Sequence, residues 1–151
     1  MKHKILIVVA DYYKKISNNL INVARHELDT TKIKSINYKI IKVPGAFEIP
    51  VVISKNIKKY DGFLALGCVI KGETPHFDYI SKSTIDAIMN LSVDYKKPIG
   101  NGILTCLNIS QAEARSSNDS VKKNKAIEAS RSLISILEIL KNESKWSSPK
   151  S

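Results

Sequence analysis

The segment GCVIKGETPHFDY, from Gly67 to Tyr79, holds the densest collection of groups able to do chemistry in this chain. Thr74-Pro75 reads as a helix N-cap followed by a first-position proline, and the free amide donors of such a start bind anions. Gly72 would permit an unusual backbone just before it, whereas Glu73 would repel a phosphate unless its carboxylate points away. His76 follows at once, and an imidazole can exchange protons near neutral pH; the plainer alternative is an exposed polar residue in a first helical turn. Glu48 stands among Phe47, Ile49 and Val51, where a carboxylate could accept two hydroxyl hydrogen bonds from a polyol or simply complement a helix N-terminus. Tyr12 could stack on a flat heterocycle or serve as packing, and Arg115 suits phosphate capture or the stabilisation of a helix C-terminus.

Several chemistries lose support because their patterns are missing. The sequence has no phosphate-loop motif, no dinucleotide glycine fingerprint, no Ser-His-Asp set and no metal-ligand cluster, so common cofactor chemistries lose support. Cys68 and Cys106 fit neither a disulfide framework nor a metal spacing, and each ends an apolar run as a small buried thiol would. The longest apolar runs, such as Ile5 to Ala10, fall far short of the roughly 20 residues a bilayer demands. No membrane partner is expected, and with no signal-peptide pattern the cytoplasm is the expected location. A net charge of +10, from 24 Lys and Arg against 14 Asp and Glu, could attract polyanions. The basic residues nonetheless occur as scattered pairs such as Lys14-Lys15, Lys58-Lys59 and Lys122-Lys123, which read as a solvated surface rather than a nucleic-acid stripe.

The elements that must position these groups alternate. Lys4 to Ala10 is an unbroken run rich in β-branched residues, as a strand covered on both faces requires. Ile16, Leu20, Val23, Ala24 and Leu28 then recur at helical spacing, and Asn37 to Val43 returns to strand character. Pro44-Gly45 breaks that strand. Ala46 to Lys58 reads as a helix that admits Pro50 only in its first turn. A third strand is expected from Gly62 to Ile70, then a helix with Phe77, Ile80, Thr84, Ile88 and Leu91 along one face, then a fourth strand from Pro98 to Thr105. A short helix from Ser110 to Arg115, a polar loop from Ser116 to Ser120 and a longer helix carrying Ile127, Leu133, Ile134, Leu137 and Leu140 complete one α/β domain over residues 1–151. The segment 143–151 reads as a frayed tail. Such alternation implies a four-stranded parallel sheet with helices on both faces, joined by right-handed crossovers. Ligands of open parallel sheets bind beyond the carboxyl ends of the strands, where Asp11-Tyr12-Tyr13, VPGAFEIP (Val43 to Pro50) and the Gly67 to Tyr79 segment all fall.

Taken together, VPGAFEIP and GCVIKGETPHFDY, with NGILT (Asn101 to Thr105) and Asn124-Lys125 in the same order, resemble the lumazine synthase family from Ile5 to about Leu140. The resemblance implies a flavodoxin-like three-layer α/β/α sandwich and no redox cofactor or metal. It also implies condensation of 5-amino-6-(D-ribitylamino)uracil with 3,4-dihydroxy-2-butanone 4-phosphate, releasing phosphate and water, in riboflavin biosynthesis. A non-catalytic lumazine or flavin carrier on the same scaffold is the alternative.

Position by position, the resemblance places Tyr12 against the pyrimidine ring. It sets Ala46, Phe47 and Glu48 along the pyrimidine and ribityl pocket, and Cys68, Val69 and Ile70 along the heterocycle, Cys68 standing where a threonine or other small residue is usual. Amides of Glu73 and Thr74, with Arg115, would hold the ketone's phosphate, and His76 would transfer protons. Asn101 matches a position, often phenylalanine, that a neighbouring subunit supplies, so a homo-oligomer is expected. The chain begins almost at its first strand, and its Arg115-to-Lys125 loop is about two residues longer than in icosahedral relatives, within the ordinary variability of surface loops. Both features favour a pentamer over a larger capsid.

Overall fold

The structure, a computed structural model, describes residues 2–33, 35–118 and 124–146. Strand β1 (His3–Ala10) is followed by α1 (Lys14–Thr30), β2 (Ile36–Val43), a short 3-10 turn (Ala46–Glu48) and α2 (Ile49–Asn56). Then come β3 (Gly62–Ile70), α3 (His76–Tyr95), β4 (Ile99–Cys106), α4 (Ile109–Ser116) and α5 (Lys125–Trp146). All strand pairings are parallel, in the order β2-β1-β3-β4, with Ile7 beside Ile40 and Val8 beside Ala65. That order matches the first four strands of the flavodoxin-like arrangement.

The sheet separates two apolar layers because alternate side chains of each strand face opposite ways. Ile5, Ile7 and Val9 meet Leu20, Ala24 and Leu28 of α1 and Ala129 and Leu133 of α5. On the other face Leu6 and Val8 meet Ile49 and Ile53 of α2 and Ile88 of α3. From Ile5 to Val9 β1 is wholly buried, so its composition needs no polar alternation. Burying each such side chain contributes roughly 1.5 to 3 kcal/mol, so this strand anchors both apolar layers. At Gly100 the backbone of α5 comes so near that an added Cβ would lie 2.5 Å from the Ala129 carbonyl oxygen, so β4 can carry no side chain there.

The expected 46–58 helix is divided: the 3-10 turn comes first and α2 begins at Ile49, with Pro50 in its first turn as anticipated. At α3 the cap register differs from the expected one. Pro75, not Thr74, is the N-cap, and Thr74 Oγ1 accepts only a long 3.4 Å hydrogen bond from the His76 amide. Gly72 has no positive φ, and an added Cβ there would meet nothing within 4 Å. Helix α5 runs to Trp146, into the segment read as frayed, whose remainder lies outside the described residues. The 119–123 part of the lengthened loop also lies outside them.

Of the lysine pairs noted in the sequence, Lys14-Lys15 opens α1 and Lys122-Lys123 lies outside the described residues, but Lys58-Lys59 shares its place with other lysines. Lys32, Lys58, Lys59, Lys96 and Lys97 follow the C-terminal ends of α1, α2 and α3, at the sheet edge where strands begin. Positive charge is favourable beside the carbonyls of a helix C-terminus. Lys97 acts most directly, its Nζ donating to the Ile57 carbonyl at 2.6 Å.

Candidate active site

Chain direction changes between β1 and β3: β1 leads outward to β2 on one side, and β3 leads to β4 on the other. A crevice at the carboxyl ends of such a strand pair is where open α/β sheets take ligands. A cleft of about 590 Å³ opens there. Tyr12 and Tyr13 form the wall after β1, Ala46, Phe47 and Glu48 the wall after β2, Cys68, Val69 and Ile70 the floor from β3, and His76 the lip from α3.

Backbone hydrogen bonds explain why these loops converge. The Asp11 amide donates to Val43 O at 2.8 Å, joining the exits of β1 and β2, and the Lys71 amide donates to Cys106 O at 2.9 Å, joining those of β3 and β4. Tyr12 is 72% exposed and Phe47 62% exposed, so both present aromatic faces to the cleft and solvent. The Tyr13 ring stands edge-on to that of Tyr12, with centroids 4.9 Å apart. Burial pushes the Tyr13 phenol above its ordinary range, and the Cys68 thiol beside it adds to the shift.

Glu48 is half-buried, and its amide donates to Gly45 O at 3.2 Å, which holds the 3-10 turn that brings the side chain inward. Its carboxylate has no hydrogen-bond or ion-pair partner among the described residues, so both oxygens remain open to a ligand's hydroxyls. The imidazole of His76, exposed at the first position of α3, is likewise without such a partner among them. Cys68 is different in kind. Burial pushes its thiol up to about 12, with the neighbouring Cys106 adding to the shift, so it presents a neutral surface to a ligand rather than a nucleophile.

Eight of the residues singled out from the sequence therefore line one cleft, and four do not. Glu73 and Thr74 are exposed on the loop leading to His76. Asn101 lies within the edge strand β4 opposite Ala65, and its Oδ1 accepts from the Ile103 amide at 3.1 Å. Arg115 sits in the last turn of α4, its Nη1 3.4 Å from the Gln111 carbonyl, and its positive charge opposes the rise that burial gives the Cys106 thiol. The cleft also contains Tyr13 and Gly45, which the sequence offers only within the Asp11-Tyr12-Tyr13 and VPGAFEIP segments, and Ile80, which it offers only as part of a helical face. Ile80 had a usable signal, since it lies one helical turn after His76 and shares its face. Asn124 was quoted only as part of a motif, yet it is 3% exposed and bridges the loop before α5. Its Nδ2 donates to Ser117 O and its Oδ1 accepts from the Ala126 amide.

Among the described residues no helix is long and apolar enough to cross a membrane, and no cluster of metal-ligating side chains occurs. An aromatic-walled cleft at the switch point of a parallel sheet, with an open carboxylate and an imidazole at its rim, defines an α/β enzyme of the flavodoxin-like class acting on a small molecule. The sequence profile of the 6,7-dimethyl-8-ribityllumazine synthase family matches residues 2–141, and the chain belongs to that family. Among relatives bearing the same enzyme name, that of a Polaromonas species is 40% identical over 116 residues, covering 76% of this chain and 75% of its own. The enzyme of Agrobacterium fabrum is 40% identical over 147 residues, covering 93% and 96%, and that of Bartonella tribocorum 43% identical over 125 residues, covering 81% of each.

Proposed function

We propose that this chain condenses 5-amino-6-(D-ribitylamino)uracil with 3,4-dihydroxy-2-butanone 4-phosphate to form 6,7-dimethyl-8-ribityllumazine in riboflavin biosynthesis. The observation that carries the reading is the meeting of Tyr12, Glu48 and His76 in one cleft, fed by three separate loops. Tyr12 stacks on the pyrimidine, Phe47 and Ala46 bound it, and Glu48 accepts ribityl hydroxyls. Cys68, Val69 and Ile70 form the apolar floor under the heterocycle.

The substrate's own amine attacks the ketone, so no covalent enzyme nucleophile is required and much of the acceleration comes from holding two reactants together. Loss of water gives an imine, elimination then releases phosphate, and ring closure with loss of a second water completes the product. His76 carries protons between these steps. The amides of Glu73 and Thr74 hold the phosphate together with Arg115.

Arg115 and Asn101 lie off the cleft within one chain, which supports their delivery by a second copy. An apolar surface stands ready for such a neighbour: Phe47, Val51, Tyr79, Met89 and Val93 are all more than 60% exposed around α2 and α3. A pentamer acting in the cytoplasm is the assembly proposed, and light scattering giving a mass far above five 16.8 kDa chains would exclude it. The activity is tested by mixing the purified protein with both substrates and following lumazine fluorescence together with free phosphate. Product dependent on both substrates supports the synthase. Tight lumazine binding without turnover would instead make the protein a carrier.

A further inference from the structure

We infer that Ser17, outside the cleft, is a positioning residue for its aromatic wall; the inference rests on the stacking role proposed for Tyr12. Helix α1 starts without a side-chain cap, since its N-cap is Tyr13 and no side chain bonds the first-turn amides. The loop Asp11-Tyr12-Tyr13 is held at its start by the Asp11 amide's bond to Val43 O and by an exposed Lys14–Asp11 ion pair, but its far end lacks the side-chain cap usual at a strand-to-helix turn. Ser17 restrains that end from one helical turn inside. Its hydroxyl is 2.8 Å from Ala10 O, the last carbonyl of β1, and 2.9 Å from Tyr13 O, so one buried donor lies between the carbonyls that bracket the loop. The residue is 1% exposed, so bulk solvent has little access to that proton.

The i−4 bond to Tyr13 is common for a helical serine, but the bond to a strand carbonyl seven residues back is not a feature of helix geometry. It ties α1 to β1 across the residue that forms the wall. Tyr12 depends on that tie because its ring is 72% exposed and the ring that meets it is that of its neighbour Tyr13. The backbone, not packing, holds Tyr12 where a flat heterocycle would lie. Replacing Ser17 by alanine leaves the Ala10 carbonyl buried without this donor and frees the loop to drift. Glu48, His76 and the phosphate loop follow β2 and β3 and keep their places.

The test is a double-mutant cycle in the intact protein, reading kcat and the KM of each substrate separately. Ser17→Ala is expected to raise the KM for ribitylaminouracil about tenfold, with kcat and the KM for the ketone phosphate at wild-type values. Ser17→Thr, which retains the hydroxyl, should restore it. In a Tyr12→Ala background the Ser17→Ala change should add nothing, because a residue that acts through Tyr12 has nothing left to position. Equal losses for both substrates, or full additivity on Tyr12→Ala, would make Ser17 a structural residue and overturn the inference. If Tyr12→Ala weakens ribitylaminouracil while Ser17→Ala does not, the positioning role alone fails. An unchanged KM in Tyr12→Ala removes the stacking reading itself, and the role of Ser17 with it. Should Ser17→Ala not fold, Ser17→Cys keeps the shape with a weaker donor and must give an intermediate KM.

Discussion

Gly67 of β3 and Ala10 of β1 lie side by side, so close that a Cβ added at Gly67 would stand 2.9 Å from the Cβ of Ala10. Real Cβ atoms do not approach so nearly, so Gly67→Ala must spread the two central strands at the point where both enter the cleft. The expected cost is about 1 to 3 kcal/mol, read as a lower urea midpoint, with a parallel loss of product formation as the floor at Cys68 shifts. Gly72→Ala, five residues on, is the control. With open space around it and no positive φ, it should change neither midpoint nor turnover measurably.

These two glycines mark how far the sequence could be read. The unbroken apolar run from Gly62 to Ile70 announced a doubly covered strand, and alternation of such runs with helical periods left few topologies once right-handed crossovers are required. Loops that follow β1, β2 and β3 then converge of necessity, which is why the sequence alone groups Tyr12, Glu48 and His76. Composition could not assign the two glycines different tasks, because a close approach of strands is a fact of register. The cap at Thr74-Pro75-His76 slipped for a related reason: Ser, Thr or Asp before a proline marks a helix start only to within a residue or two. Asn101 and Arg115 lay further out of reach. One sits on an edge strand and the other ends a helix on the α1 and α5 side of the sheet, and no local pattern relates either to the cleft.

His76 stands first in α3, exposed, with nothing among the described residues orienting its ring. In the proposed role of proton carrier, a residue so placed would assist steps that water can also serve, leaving the positioning of the two substrates to the cleft walls. His76→Ala is therefore expected to lower kcat by about ten- to a hundredfold without abolishing turnover. Wild-type kcat in this variant would take His76 out of the mechanism.

If Arg115 reaches the phosphate from a neighbouring copy, two defective chains should repair each other. Arg115→Ala alone should raise the KM for the ketone phosphate far more than that for ribitylaminouracil, since a charge-assisted contact is lost only to the former. Subunits of His76→Ala and Arg115→Ala, dissociated and reassembled together, then form some sites with an intact His76 from one chain and an intact Arg115 from the other. Activity above that of the separate variants is the expected result. Strictly additive activity would mean that each site is built within one chain.

The final prediction concerns alkaline pH. Burial holds the Cys68 thiol at about 12 in the folded protein, against about 9 for a free thiol, and the Cys106 thiol is raised for the same reason. A folded-state value above the unfolded one means that unfolding releases protons between the two. The thiols thus favour the folded state fully below about pH 9, and that contribution is lost as pH rises toward 12. Tyr13 and Tyr38, both raised by burial, act in the same direction from about 10 upward. Stability followed by urea unfolding should therefore fall steadily from pH 9 to pH 11, and Cys68→Ala should lessen the slope while lowering stability at neutral pH through its small cavity. At pH 8 the native thiol should resist iodoacetamide, reacting only as fast as the chain opens. Rapid alkylation with loss of activity under those conditions would show a thiolate at the cleft floor and contradict the burial argument.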